Sequence, residues 1–133
     1  MDNFPPMRRI SLLLLTGAFL ASSCKKEDPM LKATLHAKCR ECVVSYASGV
    51  SQSKKDTLLG VVDQGSGDTI AEERQWTLQL KDGDNIFLRA CHLDSAMNAG
   101  ALQVWIDGDV RPDQAQTDGT QGCAEINHTA HAQ

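Results

Sequence analysis

Four cysteines in the body of this 133-residue chain, Cys39, Cys42, Cys91 and Cys123, are the residues best placed to do chemistry. Cys39-Arg40-Glu41-Cys42 has the spacing of a redox pair. Such a pair needs a thiolate of lowered pKa, typically at a helix N-terminus, and a second thiol to resolve the mixed disulfide. The flanking residues read as strands, and Glu41 would raise the thiol pKa, so a thiol–disulfide enzyme is the alternative reading. Zinc is a third reading, with four thiolates or thiolates plus His36 or His92 as a tetrahedral set. A single C-x-x-C argues against it, and no metal or cofactor is expected. The structural reading is two disulfides. Three connectivities are open. The preferred one joins Cys39 to Cys42, which are close along the chain, and Cys91 to Cys123, which lie in late strands able to pair. The alternative joins Cys39 and Cys42 separately to Cys91 and Cys123.

Other polar groups form weaker constellations. Asp82, Asp84, Asp107 and Asp109 are hard oxygen ligands on turns, but neither cluster has the twelve-residue calcium loop or its closing Glu. They read as solubilising turn residues. His36, His92, His128 and His131 are scattered. No nucleophile-elbow motif and no glycine-rich phosphate loop appears, so no catalytic residue is assigned and the chain is expected not to be an enzyme. Formal net charge is -4, and no basic stripe suggests a nucleic-acid partner. Trp105 stands out because its strand turns it away from Leu102, Val104 and Ile106. An exposed Trp can anchor a protein partner or a sugar ring.

The N-terminal segment reads as an address. Arg8 and Arg9 precede an apolar run from Ile10 to Leu20, shorter than the roughly 20 residues of a membrane span but suited to a signal peptide. Ala21-Ser22-Ser23-Cys24 follows and resembles the lipobox of a bacterial lipoprotein, with the usual Leu one place early at Leu20. The resemblance implies a signal peptide over 1–23 and acylation of Cys24. Lys25-Lys26-Glu27-Asp28 is similar to the start of lipoproteins from Bacteroidetes-type bacteria. Residues 24–30 would then be a lipidated tether, with the lipid bilayer as partner and the cell envelope, as an outer-membrane lipoprotein, as location. An exported chain meets an oxidising compartment, which favours disulfides over free thiols.

The elements that must carry these residues read as strands. Apolar residues make up 41% of the chain, enough for one small core, and they alternate at period two. Leu31 to Ala37 predicts a strand with Leu31, Ala33, Leu35 and Ala37 on one face. Cys42 to Tyr46 predicts a second, close enough to form a hairpin with the first. Ser48 to Asp56 reads as a polar turn, Thr57 to Val62 as a weak third strand, and 63–74 as a long polar loop. Trp76, Leu78 and Leu80 share one face of the next strand. Ile86 to His92 follows, with Ile86, Leu88 and Ala90 inward. Ser95 to Gly100 reads as a loop. Ala101 to Ile106 ends at Asp107-Gly108, a tight-turn signal. Residues 113–121 read as a polar loop, Gly122 to Ile126 as the last strand, and 128–133 as a polar, mobile tail. About seven short strands over 31–127 predict an all-β, Ig-like β-sandwich.

Val43-Val44-Ser45-Tyr46, Gln75-Trp76-Thr77-Leu78, Ile86-Phe87-Leu88-Arg89-Ala90 and Val104-Trp105-Ile106-Asp107-Gly108 occur in an order that resembles the small Ig-like domain of mycobacterial MmpS-type proteins and related Bacteroidetes lipoproteins. The chain departs from them in its four domain cysteines and its longer 63–74 loop. The resemblance implies a membrane-tethered accessory to a lipid or siderophore exporter and supplies no catalytic residue. The expected function is a lipid-anchored, non-enzymatic binding or accessory module with an envelope protein or glycan as partner.

Overall fold

A computed structural model of the chain describes residues 26–49, 51–93, 100–117 and 122–133. Residues 26–30 are exposed and without regular structure, and the first strand begins at Leu31. The expected signal peptide, Cys24 and most of the 95–100 loop lie outside the described residues.

The strands are β1 (Leu31–Cys39), β2 (Cys42–Ser48), β3 (Lys54–Leu58), β4 (Val61–Val62), β5 (Thr69–Ile70), β6 (Glu72–Leu80), β7 (Asn85–His92), β8 (Leu102–Gly108), β9 (Asp113–Thr117) and β10 (Cys123–Thr129). They build one four-stranded sheet in the order β6-β1-β8-β9, a second in the order β10-β7-β2-β3, and a small β4-β5 ribbon. All named pairings are antiparallel. The fold is all-β. The pairing of β1 with β6 and of β2 with β7, in opposite sheets, matches the B–E and C–F pairings at the centre of an Ig-type sandwich.

Period-two alternation explains the core. Leu31, Ala33, Leu35, Ala37 and Cys39 of β1 are buried, as are Ile86, Leu88 and Ala90 of β7 and Leu102, Val104 and Ile106 of β8. With Cys42, Val44, Leu58, Leu80, Ala124 and Ile126 they form one cluster between the sheets. Trp76 and Leu78 are partly buried against it.

Several sequence expectations are corrected. The first two strands are not a hairpin: β1 pairs with β6 and β8, while β2 pairs with β3 and β7. Hairpin pairing would have saturated one edge of β1 and left its apolar face bare. Crossing to the other sheet brings Cys42 and Val44 over that face. Arg40-Glu41 makes the corner, with Glu41 in the left-handed region at φ 51°. The third strand is Lys54–Leu58 rather than 57–62. Its Lys54 and Lys55 are exposed on a sheet edge, where charge discourages further pairing. The 63–74 loop is in part structured: it holds β5 and the start of β6, and residues 63–68 turn β4 into β5.

Asp107-Gly108 is not the tight turn. The eighth strand runs through Gly108, which pairs with Ala33, and the chain returns through residues 109–112. Gly108 has φ 103°, and a Cβ there would run into the Lys32 carbonyl, so two backbone strands meet where no side chain fits. Residues 113–117, expected in a loop, form edge strand β9, and the supposed tail continues β10 to Thr129. Ala130 is fully buried, and Val110 bridges Ala132.

Strand direction sorts the connections into two ends. β1 starts at the same end as residues 49, 51–53, 81–84, 109–112 and the C-terminus. Residues 40–41, the β4-β5 ribbon, and the connections after β7 and β9 leave from the opposite end.

Candidate functional site

Cysteine comes first, because the four cysteines fix that opposite end. Cys39 is paired with Cys42, and Cys91 with Cys123, as preferred from the sequence. Cys91 and Cys123 face each other directly across β7 and β10, with Cα atoms 4.1 Å apart. They point to the outer face, where the Arg89 guanidinium lies 3.3 Å from the Cys123 sulfur and 3.5 Å from Glu125. Cys39 and Cys42 face the core and are fully buried. Thiol–disulfide exchange requires an attacking thiolate to reach one sulfur. Burial at a strand-to-strand corner offers neither that access nor a helix N-terminus to lower a thiol pKa.

The acidic turn residues are already engaged. Asp84 accepts from the Lys81 amide at 2.8 Å, Asp82 from the Ala132 amide at 3.0 Å and Asp109 from the Lys32 amide at 3.0 Å. Among the described residues, no three His, Cys, Asp or Glu side chains converge as metal ligands would. Three histidines sit beside aspartates: His36 by Asp107 at 3.1 Å, His128 by Asp113 at 3.5 Å and His131 by Asp82 at 3.7 Å. The supposed tail histidines are thereby held against ordered turns and β9.

Trp105 is half-buried rather than freely exposed. It projects from the outer face of the first sheet and stacks on His36 of β1, with ring centroids 4.8 Å apart and planes within 5°. His36 Nε2 is bonded to Asp107, its side chain is 12% exposed, and its Nδ1 is buried without a partner. This His–Asp pair therefore offers no free nitrogen to solvent as a base, and its effect is to fix the imidazole against the indole. On the other side of Trp105, between β8 and β9, lies a depression of about 420 Å³ lined by Gln103, Val104, Trp105, Gln114, Ala115 and Gln116. The Gln103 amide donates to Gln116 at 3.0 Å. The sequence marked Trp105 but not this surround, because β9 has no apolar signal and read as loop. Gln114 and Gln116 face outward only once β9 is paired with β8 in its observed register.

A second feature escaped sequence reading. Leu59, Val61, Val62 and Ile70 are exposed on and beside the β4-β5 ribbon, at the disulfide-bearing end. Arg40 secures the ribbon through its guanidinium, which donates to the Thr69 carbonyl at 3.0 Å. At Gly60, with φ 104°, a Cβ would meet the Ile70 carbonyl at 2.7 Å, so the ribbon closes only with glycine there.

The open flank between β3 and β6 is stitched by charge. Arg74 lies 2.8 Å from Asp56 and also pairs with Glu72, and Trp76 donates to Asp56 at 3.3 Å while stacking on Tyr46. The Arg74 hydrogen bond holds the Asp56 carboxyl below its ordinary 3.8 despite some opposing desolvation. A depressed carboxylate contributes stability above its unfolded pKa and loses it as pH falls through the folded pKa. The Asp56→Asn variant is expected to melt slightly below the parent near neutral pH. The two curves should converge only once pH has fallen through the depressed folded pKa of Asp56, below its ordinary 3.8, where the group is protonated in both states of the parent. The gap stays small and shrinks in salt, because both partners are exposed to water. Melting temperature followed against pH for the two proteins measures it. A gap that persists in acid would mean that Asp56 acts by packing instead.

No family model matches this chain, and comparison with curated proteins and with solved structures finds no match. The fold and its bonds define the class: an all-β sandwich stapled by two disulfides, as suits an oxidising, extracytoplasmic environment. Among the described residues, no helix is long and apolar enough to cross a membrane.

Proposed function

We propose that the protein is a lipid-anchored cell-envelope lipoprotein, at the outer membrane, that acts as a non-enzymatic binding module. Acylated Cys24 is the anchor, and residues 25–30 are the tether. One observation carries this reading: β1 enters the sandwich at one end, while both disulfides lie at the other. A module built this way is held by its lipid at the first end and presents its stapled connections at the far end, with the Trp105 face along its side. Acyl chains supply about 0.8 kcal/mol per buried methylene, and stable anchoring takes more than one chain. A diacylglyceryl cysteine meets that need.

Intact mass with non-reducing peptide mapping, on protein extracted from its native membrane, tests the reading. The expected result is an N-terminal Cys24 carrying acyl chains, with both domain disulfides closed. An unmodified Cys24 would leave a freely secreted domain. A Cys39/Cys42 pair recovered reduced or as a mixed disulfide would put the thiol–disulfide enzyme ahead.

A further inference from the structure

We propose that the depression between β8 and β9 is a subsite for a neutral saccharide, with Trp105 as its stacking platform. This rests on the binding-module reading and names its ligand class.

The argument starts from which indole face is free. His36 comes from β1 and covers the face of Trp105 on that side. The strand on the other side is β9, and there the indole borders the open depression rather than another ring. A pyranose presents a patch of C–H groups to such a face, as other apolar ligand surfaces do to aromatic rings, and turns its hydroxyls outward. Each hydroxyl both donates and accepts, so the matching protein group is one that also does both. The primary amide is that group. Three surround the depression: Gln103, Gln114 and Gln116. The Gln103–Gln116 bond uses one donor and one acceptor, leaving the Gln103 oxygen and the Gln116 nitrogen with capacity to spare. The Gln114 side chain is exposed and makes no hydrogen bond shown among the described residues.

Charge decides the class. The side chains lining the depression carry none. An anionic ligand would call for Arg or Lys there, and a cationic one for carboxylates. The nearby carboxylate of Asp107 is turned to His36. An uncharged polyol with one apolar face fits the lining, and a volume of about 420 Å³ lies in the range of small-ligand sites. The platform is also pre-set. Asp107 fixes His36 and His36 fixes Trp105, so little side-chain freedom is lost when a ring settles on the indole.

The test is affinity gel electrophoresis of the protein extracted from its native membrane in detergent, through gels containing dextran, xylan, galactomannan or arabinogalactan, with alginate as the charged control. The expected result is retardation by at least one neutral polymer and none by alginate. Trp105→Ala should weaken that retardation at least tenfold. Trp105→Phe, which keeps a ring, should retain part of it, and Gln114→Ala should weaken it severalfold. Each variant is checked for an unchanged melting temperature, and Trp105→Phe keeps the test decisive if the alanine variant fails to fold. No retardation by any neutral polymer, retardation indifferent to both Trp105 variants, or equal retardation by alginate would overturn the proposal. Acylation of Cys24 and closure of both disulfides are read by mass on the same sample. The saccharide assignment can therefore fail while the tethered-module reading stands, and the reverse.

Discussion

Replacing Cys91 and Cys123 together by serine is expected to cost about 3–4 kcal/mol of folding stability. The two residues are 32 positions apart in the chain and directly opposed in the β7–β10 ladder. Cutting the bond frees that loop in the unfolded state, and the chain-entropy argument gives the cost from loop length alone. The native state loses little else. Both positions are only partly buried, so serine hydroxyls there remain hydrated, and the ladder continues from Ala124–Ala90 through Thr129–Asn85. Cys39 and Cys42 lie only three positions apart, and the same argument gives about 2 kcal/mol for their closure. Denaturant unfolding of the parent, of the Cys91/Cys123 serine variant and of a Cys39/Cys42 double alanine variant, with the remaining pair oxidised, measures the ranking. Alanine is used at Cys39 and Cys42 because both are fully buried and a serine hydroxyl there would add its own desolvation cost. The larger loss is expected from the Cys91/Cys123 pair. A loss there below about 1 kcal/mol would mean that β10 is held by its ladder and by burial of Ala124 and Ile126, with the unfolded chain already compact. For a domain of this size, stability totals roughly 5–15 kcal/mol, so the expected loss is a large share of the whole.

What the sequence made legible follows one rule: strands with one apolar face announce themselves. β1, β7 and β8 carry unbroken alternation, and their inward residues were named correctly because burial on one face forces period two. Edge strands did not announce themselves. Lys54-Lys55-Asp56 and Asp113-Gln114-Ala115-Gln116 read as turn or loop, because an edge is kept polar and contributes one or two residues to the core. The hairpin expected between the first two strands failed for a different reason. A short link constrains distance but not which sheet the chain enters, and covering the apolar face of β1 decided it. The candidate site was half legible for the same causes. Trp105 could be singled out by alternation within its own strand. His36 and Gln114, its neighbours, depend on pairing of β1 and β9 with β8, and such long-range register is not written in any local pattern. The cysteine pairing was only preferred from the sequence, from the closeness of Cys39 to Cys42 and the late strands of Cys91 and Cys123. Three connectivities stayed open because the β7–β10 register that opposes the second pair is long-range.

Leu35→Ala is expected to cost about 3–4 kcal/mol, among the largest losses available to a single substitution in this chain. Leu35 lies at the middle of β1, an interior strand, opposite Trp76 of β6 and Ile106 of β8. It has no solvent exposure. Truncation removes the transfer free energy of the lost carbons and leaves a cavity whose walls belong to hydrogen-bonded strands, which collapse poorly into it. Leu35→Met, which conserves volume, should cost less than about 1.5 kcal/mol. Lys38→Ala, three positions along the strand but on its exposed face, should stay within about 0.5 kcal/mol. Denaturant midpoints of the three variants check both size and pattern. Equal losses at Leu35 and Lys38 would contradict the burial of one face of β1 and exposure of the other. A loss confined to Leu35→Ala would show that the inward face of β1 packs into the shared core, while its outward face, which carries His36 beside Trp105, is free of that constraint.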